Sequence, residues 1–388
     1  MELKALLKEM VTLRASDLHL KAGAPPIYRI DGELRRTDLP ALTPEDLLAL
    51  AEPVLSAGQR EILNEELQVD FAVNLPTVAR FRANFHTQRG SLAMTFRIVP
   101  FTIAGIEELG LPRVVEEIAT KPRGLVLVTG TVGSGKSTTL AAMIDRINAG
   151  RNAKIITIED PIEFVHEDRK GLIIQREVGE DTRSFEAALK HILRQDPNVI
   201  LIGEIRDIGT MSVALTAANT GHLVLSTLHT IDSIQTINRV VSFFPPHQHK
   251  EVRFLLASCL QAIVSQRLVR RADGVGRIPA VEVLLCTGTI RDYILDPEKT
   301  ALIRNAIQEG YTEYGMQSFD QSLMQLYREG KITYEEALRS SSNPSEFDLR
   351  VRGIEAASDK TWDFFEGRPG ETPGAAPASL SGKRGETE

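Results

Sequence analysis

The chain is poor in cysteine: Cys259 and Cys286 are the only two in 388 residues. Two isolated thiols exclude a disulfide framework and a four-cysteine zinc site. No apolar run approaches the length that a bilayer-spanning helix needs, and Met1–Leu7 lacks the pattern of a secretory signal. There is no surplus of basic charge. The formal net charge is −7, which weighs against a nucleic-acid motor, since such a motor carries a basic footprint. No internal repeat is visible. What remains is 42% hydrophobic and 25% charged, the composition of a water-soluble globular protein with length for two or three domains. These absences together point to a cytoplasmic chain, free to dock on a membrane protein.

The most informative stretch present is Gly130-Thr-Val-Gly-Ser-Gly-Lys-Ser137, directly after the apolar run Leu125–Thr129. It fits the G-x-x-x-x-G-K-[ST] phosphate-binding loop at every required position. A buried strand feeds the loop, and a helix opens near Lys136 and runs through Thr139–Asp145. Gly130, Gly133 and Gly135 allow the backbone to wrap its N–H groups around phosphate, and the helix N-terminus adds partial positive charge. Lys136 reaches toward the β- and γ-phosphates and the Ser137 hydroxyl toward Mg²⁺. Gly130, Gly133, Ser134, Gly135, Lys136, Ser137 and Thr138 are the candidate contacts to ATP.

Residues 1–100 alternate short helical and strand patterns, the mark of a mixed α+β domain. Leu3, Leu6, Leu7 and Met10 are spaced for a helix. Ser16–Leu20 and Ile27–Ile30 alternate as strands, the latter before the Asp31-Gly32 turn signal. Thr43 and Pro44 read as the N-cap and first residue of a helix ending near Ala51. Arg80–Phe85 and Leu92–Ile98 read as a hairpin around Gln88-Arg-Gly90. A linker, residues 101–112, leads to a second domain over 113–355 whose strands alternate with helices, which implies a parallel sheet. Its strands are expected at Leu125–Thr129, Lys154–Ile158, Val199–Ile202 and Leu223–Ser226. Beyond Pro245 the pattern predicts helices over Glu251–Leu268, Thr300–Glu309, Phe319–Glu329 and Tyr334–Ser340. Residues 356–388 are expected to form a largely disordered tail, since Gly367–Glu388 is rich in Gly, Pro, Ser and charge.

Three further stretches bear on chemistry. Ile155–Glu163 ends a strand with Glu159, Asp160 and Glu163, three carboxylates that can orient water or hold Mg²⁺, or else form a solvated turn closed by Pro161. Val199–Gly203 followed by Glu204 is an apolar strand with an acid at its end, with Glu204 standing where Asp is more usual. Thr220–Thr230 carries His222 and His229, seven residues apart around a strand. An odd separation places them on opposite faces, so a shared metal is not expected. A hydrogen bond to the γ-phosphate suits one of them.

In this order and spacing the motifs resemble those of the secretion-superfamily ATPases, most closely the type IV pilus retraction ATPases, the PilT and PilU family. The loop resembles that family's Walker A motif, Thr157–Phe164 its Asp box, Val199–Glu204 its Walker B and Gly221–Thr230 its His box. The likeness continues through Ala15–Leu20, Leu260–Leu268 and Gly315–Gln321. It implies a PAS-like N-terminal domain, a RecA-like P-loop ATPase domain with a helical C-terminal region, and a homo-hexameric ring with ATP and Mg²⁺ bound between the two domains.

Carried over residue by residue, the resemblance makes Ser137 and Glu204 the Mg²⁺ side of the site, Glu163 a second acid near the reacting water, and His229 a γ-phosphate sensor. Between Glu204 and Glu163 it assigns no general base. Family members also place N-domain arginines near nucleotide, which suits a transition state that accumulates charge on phosphoryl oxygens. Arg82 and Arg97 are favoured here over Arg80 and Arg89, the alternative being surface ion pairs. The implied partners are the inner-membrane pilus platform protein and a paralogous pilus ATPase, with the ring peripheral at the inner membrane and no nucleic acid expected.

Two absences separate the chain from the pilus extension ATPases, which carry an extra N-terminal domain and a four-cysteine zinc motif. Two departures cut the other way. The retraction motif Ala-Ile-Arg-Asn-Leu-Ile-Arg-Glu is here Thr289-Ile-Arg-Asp-Tyr-Ile-Leu-Asp296, and Thr131-Val132 stands where the family's loop has Pro-Thr. These leave an accessory ring subunit that modulates another ATPase as a second hypothesis. A nucleic-acid translocase on the same core is a third, disfavoured by the acidic balance. Nucleotide binding is expected to survive the loop change, because every loop glycine, Lys136 and Ser137 remain.

Overall fold

The computed structural model describes residues 2–30, 32–75, 78–99 and 102–353. The expected Asp31-Gly32 turn lies partly, and the tail of 356–388 wholly, outside the described residues.

The N-terminal unit is a six-stranded antiparallel sheet in the order β3-β2-β1-β6-β5-β4. Its strands are β1 (Asp17–Lys21), β2 (Ile27–Ile30), β3 (Glu33–Arg36), β4 (Gln68–Leu75), β5 (Ala79–Gln88) and β6 (Ser91–Val99), with helices α1 (Leu3–Thr12), α2 (Pro44–Ala51) and α3 (Ala57–Glu66). Along β5 the alternation is regular: Ala79, Phe81, Ala83 and Phe85 are buried, while Arg80, Arg82, Asn84 and His86 are half-exposed. One face therefore closes the core with Leu7, Met10, Leu18, Tyr28, Leu47 and Phe96, and the other carries polar side chains. The hairpin turns at Arg89 and Gly90, both with positive φ (50° and 77°), as a two-residue turn that matches the strand twist requires. Thr43 caps α2 as expected, its hydroxyl accepting from Asp46 N while the Asp46 carboxylate accepts from Thr43 N.

The second sheet has seven strands in the order β13-β12-β7-β11-β10-β8-β9. Strands β7 (Gly124–Thr129), β8 (Lys154–Glu159), β10 (Val199–Ile202) and β11 (Leu223–Leu228) lie where they were expected. They pair in parallel, and β7, β10 and β11 are buried throughout, as strands covered on both faces must be. β9 (Leu172–Glu177), an edge strand, was not expected. The covering helices are α4 (Val114–Ala119), α5 (Lys136–Gly150), α6 (Phe185–Ile192), α7 (Ile208–Asn219), α8 (Ser233–Ser242) and α9 (His249–Cys259).

The predicted helix over Glu251–Leu268 is half wrong. α9 stops at Cys259, and Leu260–Arg270 is strand β12, parallel to β7 and antiparallel to β13 (Arg277–Leu285). The apolar spacing of this stretch suits either period. What decides is the exposed edge of β7, which Ile263 and Val264 cover from a run enriched in β-branched residues. Beyond β13 the described chain is mainly helical. Helices α11 (Ile303–Glu309), α13 (Phe319–Arg328) and α14 (Tyr334–Ser340) fall where helices were expected, and α10 (Gly288–Leu295), α12 (Tyr311–Tyr314) and α15 (Pro344–Val351) are additional.

Candidate active site

A cavity of about 600 Å³ opens where β7, β8, β10 and β11 end. In an open parallel sheet this is where ligands bind. The loop between β7 and α5 forms its floor. Gly130 has φ +145°, and a Cβ there would lie 2.5 Å from both Gln266 O and Ser134 Oγ, so no larger residue fits. Gly133, Ser134, Gly135, Lys136, Ser137 and Thr138 all line the cavity. Lys136 is buried, and its Nζ donates to Gly130 O (2.9 Å) and Thr131 O (3.0 Å). Burial pushes its pKa down, while the carboxylates of Glu204 and Glu163 act in the opposite direction. Ser134 Oγ is buried without a hydrogen-bond partner. A phosphate oxygen over the loop would supply one, so the residues present fit the group the motif implies.

Glu204 follows β10 after Gly203, whose carbonyl accepts from Thr227 Oγ1 (2.7 Å) on the neighbouring strand β11. That bond ties the turn carrying Glu204 to the strand carrying His229. Glu204 itself is ion-paired with Arg206, and His229 Nε2 lies 3.3 Å from its second oxygen. His222 sits at the other end of β11, its Nδ1 3.0 Å from Ala217 O, so of these two histidines His229 lines this cavity and His222 does not.

The three acids at the end of β8, Glu159, Asp160 and Glu163, all line the cavity, as the sequence led one to expect. They differ in how they are held. Glu159 is tied down: its Oε1 accepts from Thr157 Oγ1 (2.6 Å) and Gln175 Nε2 (3.2 Å), and burial pushes its pKa up.

The N-terminal sheet supplies cations to the rim. Arg82 on β5 and Arg97 on β6 are cross-strand partners, so they stand side by side on one face. Arg97 lines the cavity and pairs with buried Asp17 at 2.8 Å; Arg82 approaches Glu163 at 3.9 Å. Burial alone would raise the Asp17 pKa, but the bonds from Ser16 and Arg97 outweigh it and hold the carboxyl below its ordinary value. Arg80 stands apart from the cavity lining and forms a 2.7 Å ion pair with Glu177 of β9, which joins the two sheets. Arg89 sits in the hairpin turn, at the far end of β5.

Sequence reasoning missed Arg206 and Arg277, both on the cavity wall. Arg206 carried a readable signal, two residues after Glu204. Arg277 carried none, because it begins a strand whose presence depends on long-range pairing with β12.

The profile of the family described as Type II/IV secretion system protein matches residues 1–339. The chain is 45% identical over 347 residues to the type IV pilus retraction ATPase PilT of Pseudomonas aeruginosa, covering 89% of this chain and all of that protein. It is 40% identical over 368 residues to the type IV pilus ATPase PilU of the same organism, covering 95% of this chain and 96% of the relative. Among solved structures it resembles the pilus retraction motor PilT with bound ADP, at 47% identity and a TM-score of 0.83, covering 89% of this chain and 98% of that one. The chain therefore belongs to the type II/IV secretion system protein family and, within it, to the type IV pilus retraction ATPases.

Proposed function

We propose that this protein is an ATP-hydrolysing motor that powers type IV pilus retraction, and that its catalytic site is the cavity between the β7–α5 loop and the N-terminal sheet. The observation that carries the site assignment is the convergence on one cavity of Lys136, Ser137, Glu204, Glu163, His229 and, from the other sheet, Arg97.

The loop amides, the α5 N-terminus and Lys136 bind and orient the phosphates. The Ser137 hydroxyl and Glu204 carboxylate are hard oxygen donors of the kind Mg²⁺ takes. Bound there, Mg²⁺ would neutralise charge on the transferred phosphoryl group. Glu204, held between Arg206 and His229, orients the attacking water, and Glu163 is the second acid at the same opening. His229 reads the γ-phosphate through the ring that touches Glu204. Arg82 and Arg97 stand side by side, with Glu163 and Asp17 as their partners, and both can turn toward a γ-phosphate in the cavity. Closure of residues 1–100 over residues 113–355 then accompanies binding, with 101–112 as the connection.

The working unit is a homo-hexamer at the cytoplasmic side of the pilus base, acting on the inner-membrane platform protein. No described helix is long and apolar enough to cross a membrane, which suits peripheral attachment. Glu204→Gln tests the assignment: hydrolysis and retraction should be lost while ADP binding persists.

One observation favours a second reading, an accessory ring subunit of the PilU kind. α10 exposes Leu295 where the retraction motif is basic. Retraction in cells lacking every paralogue, with strong hydrolysis by the purified protein, eliminates that reading.

A further inference from the structure

A second cavity, of about 260 Å³, lies at the end of the parallel sheet opposite the nucleotide cavity. Its walls are the turns that enter the strands: Pro122 before β7, Asn152 before β8, Asn198 before β10, and Thr220 to His222 before β11. Into it comes Arg151, the residue that ends α5.

Arg151 is satisfied unlike other buried guanidinium groups of the protein. Arg253 donates to Ile294 O and Thr300 Oγ1, and Arg97 and Arg80 each hold a buried carboxylate, Arg80 with only its Nε left over. In Arg151 both Nε and Nη2 are buried with no hydrogen-bond partner, and Nη1 makes only a long 3.5 Å bond to Lys121 O. Nε and Nη2 form one edge of the guanidinium, the fork that grips two oxygens of a carboxylate or phosphate. Burial also pushes the Arg151 pKa down. None of the residues lining the cavity is acidic. Asn198 uses its Oδ1 to accept from Lys154 N, which leaves its NH₂ as a donor. The C-termini of α5 and α7 end at this wall, and their partial negative charge steadies the cation. They give neither Nε nor Nη2 an acceptor. A buried guanidinium edge left unpaired is costly, and a charged acceptor removes that cost.

We infer that this cavity binds a single oxyanion group, with Arg151 gripping it through Nε and Nη2. The volume is less than half that of the nucleotide cavity and suits one phosphate or carboxylate rather than a nucleotide. The group comes either from free phosphate or from an acidic side chain of a second copy of this chain.

The test uses full-length protein saturated with ADP and Mg²⁺, so that the β7–α5 loop is filled. Inorganic phosphate is titrated calorimetrically into wild type, Arg151→Met and Arg151→Lys, and ring assembly is followed by sedimentation over a concentration series. For a free anion, wild type shows one saturable phosphate site, about tenfold or more weaker in Arg151→Met and intermediate in Arg151→Lys. For a carboxylate of a second copy, assembled wild type takes up no phosphate, excess phosphate opposes assembly, and Arg151→Met needs about tenfold more protein to assemble. If Arg151→Met fails to fold by circular dichroism, wild type and Arg151→Lys decide. No saturable phosphate binding, together with assembly that responds neither to phosphate nor to substitution of Arg151, overturns the inference.

Discussion

Replacing Arg80 with Ala should weaken catalysis without touching any group that lines the nucleotide cavity. Arg80 Nη2 lies 2.7 Å from Glu177 Oε2, and that same oxygen accepts from Ile162 N at 3.0 Å. Glu177 is almost fully buried, with a side chain only 4% exposed. The ion pair thus joins the N-terminal sheet to the segment that ends in Glu163, one residue beyond Ile162. A hydrogen bond to a charged group contributes about 1.5–3 kcal/mol, and the buried location argues against discounting it to the near-zero value of a surface pair. Loss of that coupling divides the population of the closed arrangement by roughly 10- to 100-fold. The assay is steady-state ATP hydrolysis for Arg80→Ala, Glu177→Gln and the double variant, with ADP affinity and thermal melting measured alongside. The account expects kcat/KM to fall by about tenfold or more in each single variant, and a double variant little worse than either. ADP affinity should change far less, since the loop and Lys136 are intact. Wild-type kcat/KM in Arg80→Ala, or strictly additive effects of the two substitutions, would refute the reasoning.

Other consequences can be measured directly. Glu204→Gln should lower kcat by about a hundredfold or more while a fluorescent ADP analogue still binds; unchanged turnover would remove Glu204 from the mechanism. Gly130→Ala places a methyl group 2.5 Å from Gln266 O and Ser134 Oγ, so the melting temperature and nucleotide affinity should both fall. His166, half-buried on the cavity wall, is held neutral, its pKa pushed down to about 4 by burial and then by the Arg169 charge. Its unfolded form binds a proton at higher pH than its folded form, so stability is full above about pH 6.5 and falls by up to ~1.4 kcal/mol per pH unit as pH drops toward 4. In denaturant titrations His166→Gln should flatten that part of the profile, and an unaltered slope would contradict the assignment.

How much of this was legible in the sequence depended on how local the determining physics was. The β7–loop–α5 unit could be read whole because strand, glycines, Lys136 and helix are contiguous. The arginine hairpin was legible as a hairpin, since alternation marks its buried face and Arg89-Gly90 its turn. Arg82 and Arg97 were favoured over Arg80 and Arg89 through the family resemblance; alternation alone could not separate them, because the register sets Arg82 beside Arg97 and sends Arg80 to Glu177. The anchoring of Glu159 was not legible, because it depends on Gln175, contributed by the edge strand β9. β12 was misassigned as helix because its apolar spacing suits both periods, and only the open edge of β7 decides between them. That one error also hid Arg277.

The central claim is that ATP turnover at the Lys136–Glu204 site powers pilus retraction. Its most direct test is to delete the gene, complement with wild type or with Glu204→Gln, and score surface pili and twitching in each strain. The account predicts that the deletion strain is heavily piliated and does not twitch, that wild type restores motility, and that Glu204→Gln does not. Motility restored by Glu204→Gln, or loss of surface pili on deletion, would contradict it.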